Sequence, residues 1–78
     1  MSEQDWQAVD GQLSGDPYLH CAKLDTPADG VLYLYGGVKE PNFHSGDDVR
    51  VYYDPKRKVP RECPGPAVIV EKIIKAPR

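Results

Sequence analysis

The sequence predicts a small all-β protein, a single domain over residues 1–78 in which five strands form a closed or partly open barrel. Eight prolines and seven glycines among 78 residues favour many turns and few long helices. The clearest strand follows a turn at 45–47, because inward and outward positions alternate over 49–53 as in a strand buried on one side. The inward positions are Val49, Val51 and Tyr53, and the outward positions are Arg50 and Tyr52.

The five predicted strands cover about Trp6 to Ser14, Tyr18 to Leu24, Val31 to Tyr35, Asp48 to Tyr53 and Ala67 to Lys75, in meander order. In the first strand we expect Trp6, Ala8 and Leu13 to face the core. Gly11 is expected to let that strand bulge or bend. The Asp29-Gly30 pair is a strong hairpin signal between the second and third strands. The last strand is rich in β-branched residues, which suits a long strand shared across a barrel seam.

Two connections between strands carry further information. Residues 38–45 are too few and too poor in helix formers for more than one helical turn, and Phe43 is expected to plug one end of the barrel. Residues 54–66 hold four prolines, which cannot donate to a sheet ladder, so this segment is predicted to be an exposed loop. The residues at both termini are expected to fray.

Charge is unevenly distributed along the chain. Residues 1–54 carry three basic against ten acidic residues, whereas residues 55–78 carry seven basic against two acidic residues. The net charge of −2 therefore hides one basic segment, and such asymmetry is typical of a surface for an anionic partner. The alternative is that the two complementary halves attract each other within one fold, since charged surface runs are common.

One series of motifs gives a resemblance to a known fold. In chain order the series is Gly11-Gln12-Leu13, Cys21-Ala22-Lys23-Leu24, Leu32-Tyr33-Leu34-Tyr35-Gly36, Phe43-x-x-Gly46-Asp47-Asp48-Val49-Arg50-Val51, an element from Cys63 to Gly65, and a β-branched final strand. Over about residues 11–74 this resembles small bacterial barrels related to the OB-fold (oligonucleotide/oligosaccharide-binding fold), including uncharacterised families with a similar Gly-Asp-x-Val-x-Val core. An SH3-like or Sm-like barrel, also five-stranded, is the alternative.

The resemblance implies a binding face on strands two and three, flanked by the loops after strands one and four, and no particular ligand. The candidate polyanion-binding residues are Lys56, Arg57, Lys58 and Arg61 in the loop after strand four, with Tyr33, Tyr35 and Tyr52 as candidate stacking rings. Single-stranded nucleic acid needs cations along its phosphates and flat rings against its bases. The alternative is that Tyr33 and Tyr35, which alternation puts on one face, belong to the core. Such barrels usually have a glycine where this chain continues from Tyr53 into Asp54-Pro55, so the path of this loop stays open.

The two cysteines, Cys21 and Cys63, sit on strand two and just before strand five in the resembled pattern. These elements could bring the two Cα atoms within the range of a disulfide, about 4.4–6.8 Å. The alternative is a pair of buried or half-buried free thiols, because the cytosol keeps cysteines reduced.

The sequence offers no strong metal or catalytic motif. Zinc ligands could come only from Cys21, Cys63, His20 and His44, and the adjacent His20 and Cys21 point to opposite faces of a strand. Ser14 and Ser45 lie in turn sequences, and no glycine-rich phosphate loop is present. We therefore expect a module that is not an enzyme and uses neither a metal nor a cofactor.

Function is expected to lie in binding. The first hypothesis is a protein-interaction or assembly module, with an unidentified protein or a second copy of the chain as partner. The alternative is binding of single-stranded nucleic acid or another polyanion through residues 55–61 and the neighbouring tyrosines. No apolar run approaches the ~20 residues of a membrane span, so no membrane partner is expected. The polar, acidic residues 1–6 are unlike a secretory signal, so a cytoplasmic location is expected unless a segment was removed before Met1.

Overall fold

The computed structural model describes residues 5–28 and 30–76. Its strands are β1 (Gln7–Ser14), β2 (Cys21–Thr26), β3 (Gly30–Tyr35), β4 (Asp48–Tyr53) and β5 (Ala67–Lys75). They close into a barrel, so the predicted fold class is confirmed. Asp29 of the hairpin signal and most of the terminal residues expected to fray lie outside the described residues. Within the described ranges no helix is long and apolar enough to span a membrane.

The second strand differs most from its predicted bounds, since it begins at Cys21 rather than Tyr18. Asp16 turns the chain first, because its side-chain Oδ1 accepts a hydrogen bond of 2.9 Å from the Tyr18 backbone N–H. The Tyr18 hydroxyl then donates to the Glu40 carbonyl at 2.9 Å and accepts from the Phe43 N–H at 3.1 Å. Tyr18 is therefore used to hold the connection between β3 and β4 rather than to extend β2.

The order of strands around the barrel is β1-β2-β3-β5-β4, and β4 pairs back with β1. The predicted meander order, closed by the last strand, is therefore wrong after β3, because β3 pairs with β5, in parallel, and β4 rather than β5 pairs with β1. The connection over 36–47 is long enough to cross one end of the barrel, where Val38 and Phe43 are buried. Leu13 fixes its far end beside β1: the Leu13 N–H donates to the Asp47 carbonyl and the Gly46 N–H donates to the Leu13 carbonyl.

The last strand serves two neighbours, as expected from its length. Its first residues, 67–69, pair with β3, and residues 70–75 pair with β4. A bulge opposite Tyr52 and Tyr53 breaks the register between these partners. Bulges bend a strand and increase its twist, so this one helps a single strand to close the ring.

Among the described residues the core is a cluster of nine buried hydrophobic residues, inside the barrel and at the end that the 36–47 connection crosses. They are Leu13, Ala22, Leu24, Leu34, Val38, Phe43, Val49, Val51 and Ile73. The expected burial of Phe43 is confirmed, and the alternation of β4 holds at Val49 and Val51. Leu32 and Leu34 of β3 face this cluster, so alternation directs the tyrosines of the same strand outward.

The first strand has a different inward face from the one predicted. Ala8 is exposed, whereas Val9 packs against the core and Leu13 is buried. The pairing of β1 with β4 runs unbroken from Gln7 to Gln12, so no bulge at Gly11 changes the alternation. Trp6 lies just before the strand and is half-buried. The prediction for Ala8 was wrong because it placed Ala8 and Leu13, which have opposite parity, on one face.

Candidate functional site

The outer surface of β2 and β3 is the face on which the sequence predicted binding. Along each strand, residues that face the core alternate with residues that face outward. The outward residues are Cys21, Lys23 and Asp25 on β2 and Val31, Tyr33 and Tyr35 on β3. The strand register pairs Cys21 with Tyr35 and Lys23 with Tyr33. We call this surface the β2–β3 face. Both tyrosines therefore lie outside the core, and the alternative that placed them inside it is wrong.

A disulfide joins the β2–β3 face to the loop between β4 and β5. Cys21 and Cys63 are bonded, with their Cα atoms 5.6 Å apart and a sequence separation of 42. The alternative of two free thiols is therefore not the state in this structure. We call residues 54–66 the proline loop. The disulfide settles the path that the sequence left open, because it holds the end of this loop against the start of β2.

Residues 62–66, the cover segment, run across the outer side of β3. The Tyr33 N–H donates a hydrogen bond of 2.8 Å to the Pro66 carbonyl. Gly65 lies against the Tyr33 ring so closely that a Cβ there would be 3.0 Å from Tyr33 Cε2. Tyr33 is consequently half-buried although it points away from the core.

Glu62 makes side-chain polar contacts for the cover segment. His20 Nε2 lies 2.9 Å from Glu62 Oε1, and the Tyr35 hydroxyl donates to Glu62 Oε2 at 3.3 Å. The His20 and Tyr35 rings meet edge to face with centroids 4.6 Å apart. Partial burial, followed by the negative charge of Glu62 and its hydrogen bond, raises the pKa of Tyr35 above its ordinary value.

Sequence reasoning did not identify His20 and Glu62 as partners. A signal existed, because His20 precedes Cys21 and Glu62 precedes Cys63. A disulfide brings the neighbours of its two cysteines together as well. The polar residues beside the two cysteines were therefore candidates for a contact.

The predicted basic residues all lie in the proline loop and are exposed. Arg57 pairs with Glu71, with 2.9 Å between Nη1 and Oε2. Within the described part of the chain no ion pair involves the other three, Lys56, Lys58 and Arg61. The acidic and basic halves do meet at Lys75–Asp47. That contact leaves three cations of the loop unneutralised, so attraction between the halves accounts for only part of the charge pattern.

Tyr52 does not join this group. It lies on the outer side of β4, where the Lys72 ammonium is 5.8 Å from its ring centroid. In the ring of strands β4 is adjacent to neither β2 nor β3, so Tyr52 occupies the opposite side of the barrel from Tyr33. Beside it Arg50 holds Asp10 in a two-bond ion pair of 2.7 and 3.1 Å, and the hydrogen bond lowers the pKa of Asp10.

Two clefts differ in charge. A cleft of about 330 Å³ in the proline loop is walled by Val59, prolines and Ala67, and Arg61 is the one charged residue among the described residues that line it. A larger cleft of about 550 Å³ opens where β1 parts from β2, and Asp10, Asp25 and Asp48 line it. An anionic ligand is therefore expected to avoid the larger cleft and to prefer the smaller one.

Metal ligands do not converge in the described ranges, where no group of three or more His, Cys, Asp or Glu residues could hold an ion. Cys21 and Cys63 are used in the disulfide, and His20 contacts Glu62. His44, the fourth residue considered for zinc, has an exposed side chain whose Nδ1 lies 3.9 Å from Asp47 Oδ2.

Comparisons with known proteins place the chain in no family: no protein-family model, no curated protein and no solved structure matches it.

Proposed function

We propose that this protein is a protein-interaction module that binds an acidic, partly apolar segment of a partner protein in the cleft of the proline loop. The observation that carries the proposal is the composition of that cleft. Its walls are part apolar, with Val59 and prolines among them, and part polar, and Arg61 supplies a guanidinium group there. Lys56 and Lys58 are unpaired within the described residues and lie on the same loop. An arginine can hold a carboxylate by two parallel hydrogen bonds, which gives orientation as well as attraction.

The loop is held in shape before a partner arrives, which favours binding because less conformational freedom is lost. The disulfide fixes one end to β2. At the other end the buried Asp54 accepts hydrogen bonds from the Lys56 N–H at 2.9 Å and, through its carbonyl, from the Arg57 N–H at 3.2 Å. Pro55 and Pro60 restrict the backbone between these ends, and Pro64 and Pro66 restrict it just after Cys63.

The arrangement of strands supports the OB-like barrel over the SH3-like or Sm-like one. The parallel pairing of β3 with β5 and the return of β4 to β1 depart from a meander. A five-stranded Greek-key barrel is the OB-fold arrangement, and its ligands bind on strands two and three beside the loops after strands one and four. In this chain the proline loop lies at that position.

Single-stranded nucleic acid is the second candidate, and the outward tyrosines beside Lys23 favour it. Bases would have to stack on the rings of Tyr33 and Tyr35. The cover segment occupies both: Gly65 lies against Tyr33, and Tyr35 is engaged by Glu62 and His20. An acidic protein segment needs only the free cations and the cleft, so we rank it first. The disulfide also favours an oxidising compartment over the cytoplasm expected from the sequence.

The test is an amide-shift titration of the oxidised, isotope-labelled protein with a synthetic 12-residue peptide of alternating Glu and Leu. The peptide is added at about 50 mM and then 200 mM salt, because charge attraction between exposed groups weakens over this range. We expect shifts at 56–61 and 63–67 that fade as salt rises. Lys58→Glu with Arg61→Glu should weaken binding at least ~10-fold, which corresponds to about 1.4 kcal/mol.

The matched control is Lys39→Glu with Lys72→Glu, which changes the net charge equally but lies outside the proline loop. This control should bind the peptide as the parent does. Equal weakening in both double variants would reduce the interaction to net charge and contradict a site. Shifts with oligo(dT) and none with the peptide would favour the nucleic-acid candidate, and a mass that rises with protein concentration would favour self-assembly.

A further inference from the structure

Residues 58–65, which include the cover segment except Pro66, are held to the barrel by few contacts other than the disulfide. We infer that the Cys21–Cys63 bond is a redox switch: its reduction frees residues 58–65 and uncovers Tyr33 and Tyr35, while the barrel stays folded. The protein would then present two different surfaces in its two redox states. This inference goes beyond the proposed function, which concerns the oxidised protein alone.

The backbone of 58–65 has little to hold it. The segment forms a turn at 61–62, but among the described residues no backbone hydrogen bond joins 58–65 to the barrel; the nearest ones are Arg57 N–H to the Asp54 carbonyl and Tyr33 N–H to the Pro66 carbonyl. Glu62 provides the remaining polar contacts, and the side chains of both His20 and Glu62 are 55% exposed. Even an ion pair with that degree of exposure is weak in water, so the contact between His20 and Glu62 cannot keep the segment in place alone.

The barrel does not depend on the disulfide for its core. Cys21 is the first residue of β2 and Cys63 lies outside every strand. Neither residue belongs to the buried cluster, which is built from strand residues and from the connection between β3 and β4. Every strand pairing lies outside 58–65, so release of this segment leaves the ladder of hydrogen bonds intact.

The bond is reachable for thiol–disulfide exchange, because both cysteines are half-buried rather than enclosed. A thiolate of a dithiol reductant attacks one sulfur and forms a mixed disulfide, which the second thiol of the reductant then resolves. Two electrons and two protons pass to the protein. Cys21 and Cys63 become thiols, and the dithiol becomes a disulfide.

Release of residues 58–65 changes both the β2–β3 face and the cleft of the proline loop. Tyr33 loses its contact with Gly65, and Tyr35 loses its hydrogen bond to Glu62. Arg61 moves away together with most of the cleft lining, which consists of residues of the freed segment and its neighbours. If the proposed function holds, reduction also removes the peptide site, but the redox switch itself does not depend on any ligand.

The experiment measures backbone order in the labelled full chain at about 10 °C, oxidised and then with excess dithiothreitol. We expect the amide order parameters of 58–65 to fall from about 0.85 to below about 0.6, while those of the five strands stay high. The pKa of Tyr35, raised by burial and Glu62, should fall toward its ordinary value of 10.0 on reduction. The double variant Cys21→Ser with Cys63→Ser should reproduce the reduced state without reductant.

Glu62→Gln is the matched control, because it removes the charged contact and keeps the disulfide. Its order parameters at 58–65 should remain those of the oxidised parent. Unchanged order in the reduced parent and in the double serine variant would overturn the inference, since other contacts would then hold the segment. Loss of dispersed amide shifts throughout both forms would also overturn it, because the disulfide would then hold the barrel itself. No ligand is used, so this outcome is separate from the fate of the proposed function.

Discussion

Gly11 occupies a position where a side chain has no room. It shares the inward side of β1 with Val9 and Leu13. A Cβ at Gly11 would lie 2.7 Å from the Asp25 carbonyl oxygen and 2.8 Å from Leu24 Cγ. At the next residue β1 changes from pairing with β4 alone to pairing with β2 as well. The missing side chain therefore lets β2 approach β1 where the barrel closes.

We expect Gly11→Ala to lower the free energy of unfolding by about 1–3 kcal/mol, the usual penalty for overpacking a core. One of the close contacts is a backbone oxygen, which cannot move aside as a flexible side chain can. Urea unfolding with the disulfide intact measures the change. Ala8→Ser is the control, because it adds one heavy atom on the exposed side of the same strand and should stay within about 0.5 kcal/mol of the parent. Equal stability of Gly11→Ala and the parent would contradict the close packing.

The turn that precedes β4 connects three strands through Asp47. Its Oδ2 accepts a hydrogen bond of 2.8 Å from the His44 N–H, which closes the turn. The same oxygen lies 2.6 Å from the Lys75 ammonium at the end of β5. Together with the backbone bonds between this turn and Leu13, these contacts join β1, β4 and β5 at one end of the barrel.

From the contacts of Asp47 we predict that the protein loses stability in acid. The hydrogen bond from Lys75, followed by that from the His44 N–H, lowers the pKa of Asp47 below its ordinary value of 3.8. A carboxylate whose pKa is lower in the folded state stabilises the fold at any pH above its pKa in the unfolded state. This stabilisation is lost as the pH falls through its pKa in the folded state. Between about pH 5 and pH 2 we therefore expect Asp47→Asn to lose less stability than the parent.

The measurement is the urea midpoint as a function of pH. Asp25→Asn serves as the control, because Asp25 is exposed and makes no ion pair within the described residues. Its midpoint should follow the parent curve. If the curves of the parent and Asp47→Asn were parallel throughout, the Asp47–Lys75 contact would not contribute to acid stability.

Barrel closure at the scale of the molecule joins segments that are far apart in sequence. Gln7 pairs with Tyr53 between β1 and β4, and Tyr33 pairs with Ala67 between β3 and β5. Loop-closure entropy has to be lost before such pairs form, which slows folding relative to proteins with local contacts.

Refolding of the oxidised protein is therefore expected to take roughly milliseconds to seconds, the range of small β-barrels. Stopped-flow fluorescence can follow it through the half-buried Trp6. In the oxidised parent the disulfide brings residues 21 and 63 together before folding starts. The Cys21→Ser with Cys63→Ser variant has to close this loop during folding, so it should refold more slowly. Refolding of the parent within tens of microseconds would contradict a rate limited by distant pairings.

The amino-acid sequence by itself determined the local structure of this protein. Alternating apolar residues placed β4, as at Val49 and Val51, β-branched residues placed β5, and glycines set the turns: Gly36, Gly37 and Gly46 all have positive φ angles. Prolines kept 54–66 out of the sheet. These features depend on residues that are close together in the chain, so the sequence pattern alone reveals them.

Only the tertiary structure decided which distant segments meet. Alternation does not encode strand order, so it could not show that β3 pairs with β5 or that Tyr52 lies opposite Tyr33. Nor could it choose between a disulfide and two thiols, since that depends on the separation of the Cys21 and Cys63 Cα atoms. The candidate site rests on these choices, because the cover segment reaches the β2–β3 face only where the chain crosses the barrel and the two cysteines meet. Such contacts depend on how the whole barrel closes, which no short stretch of sequence specifies.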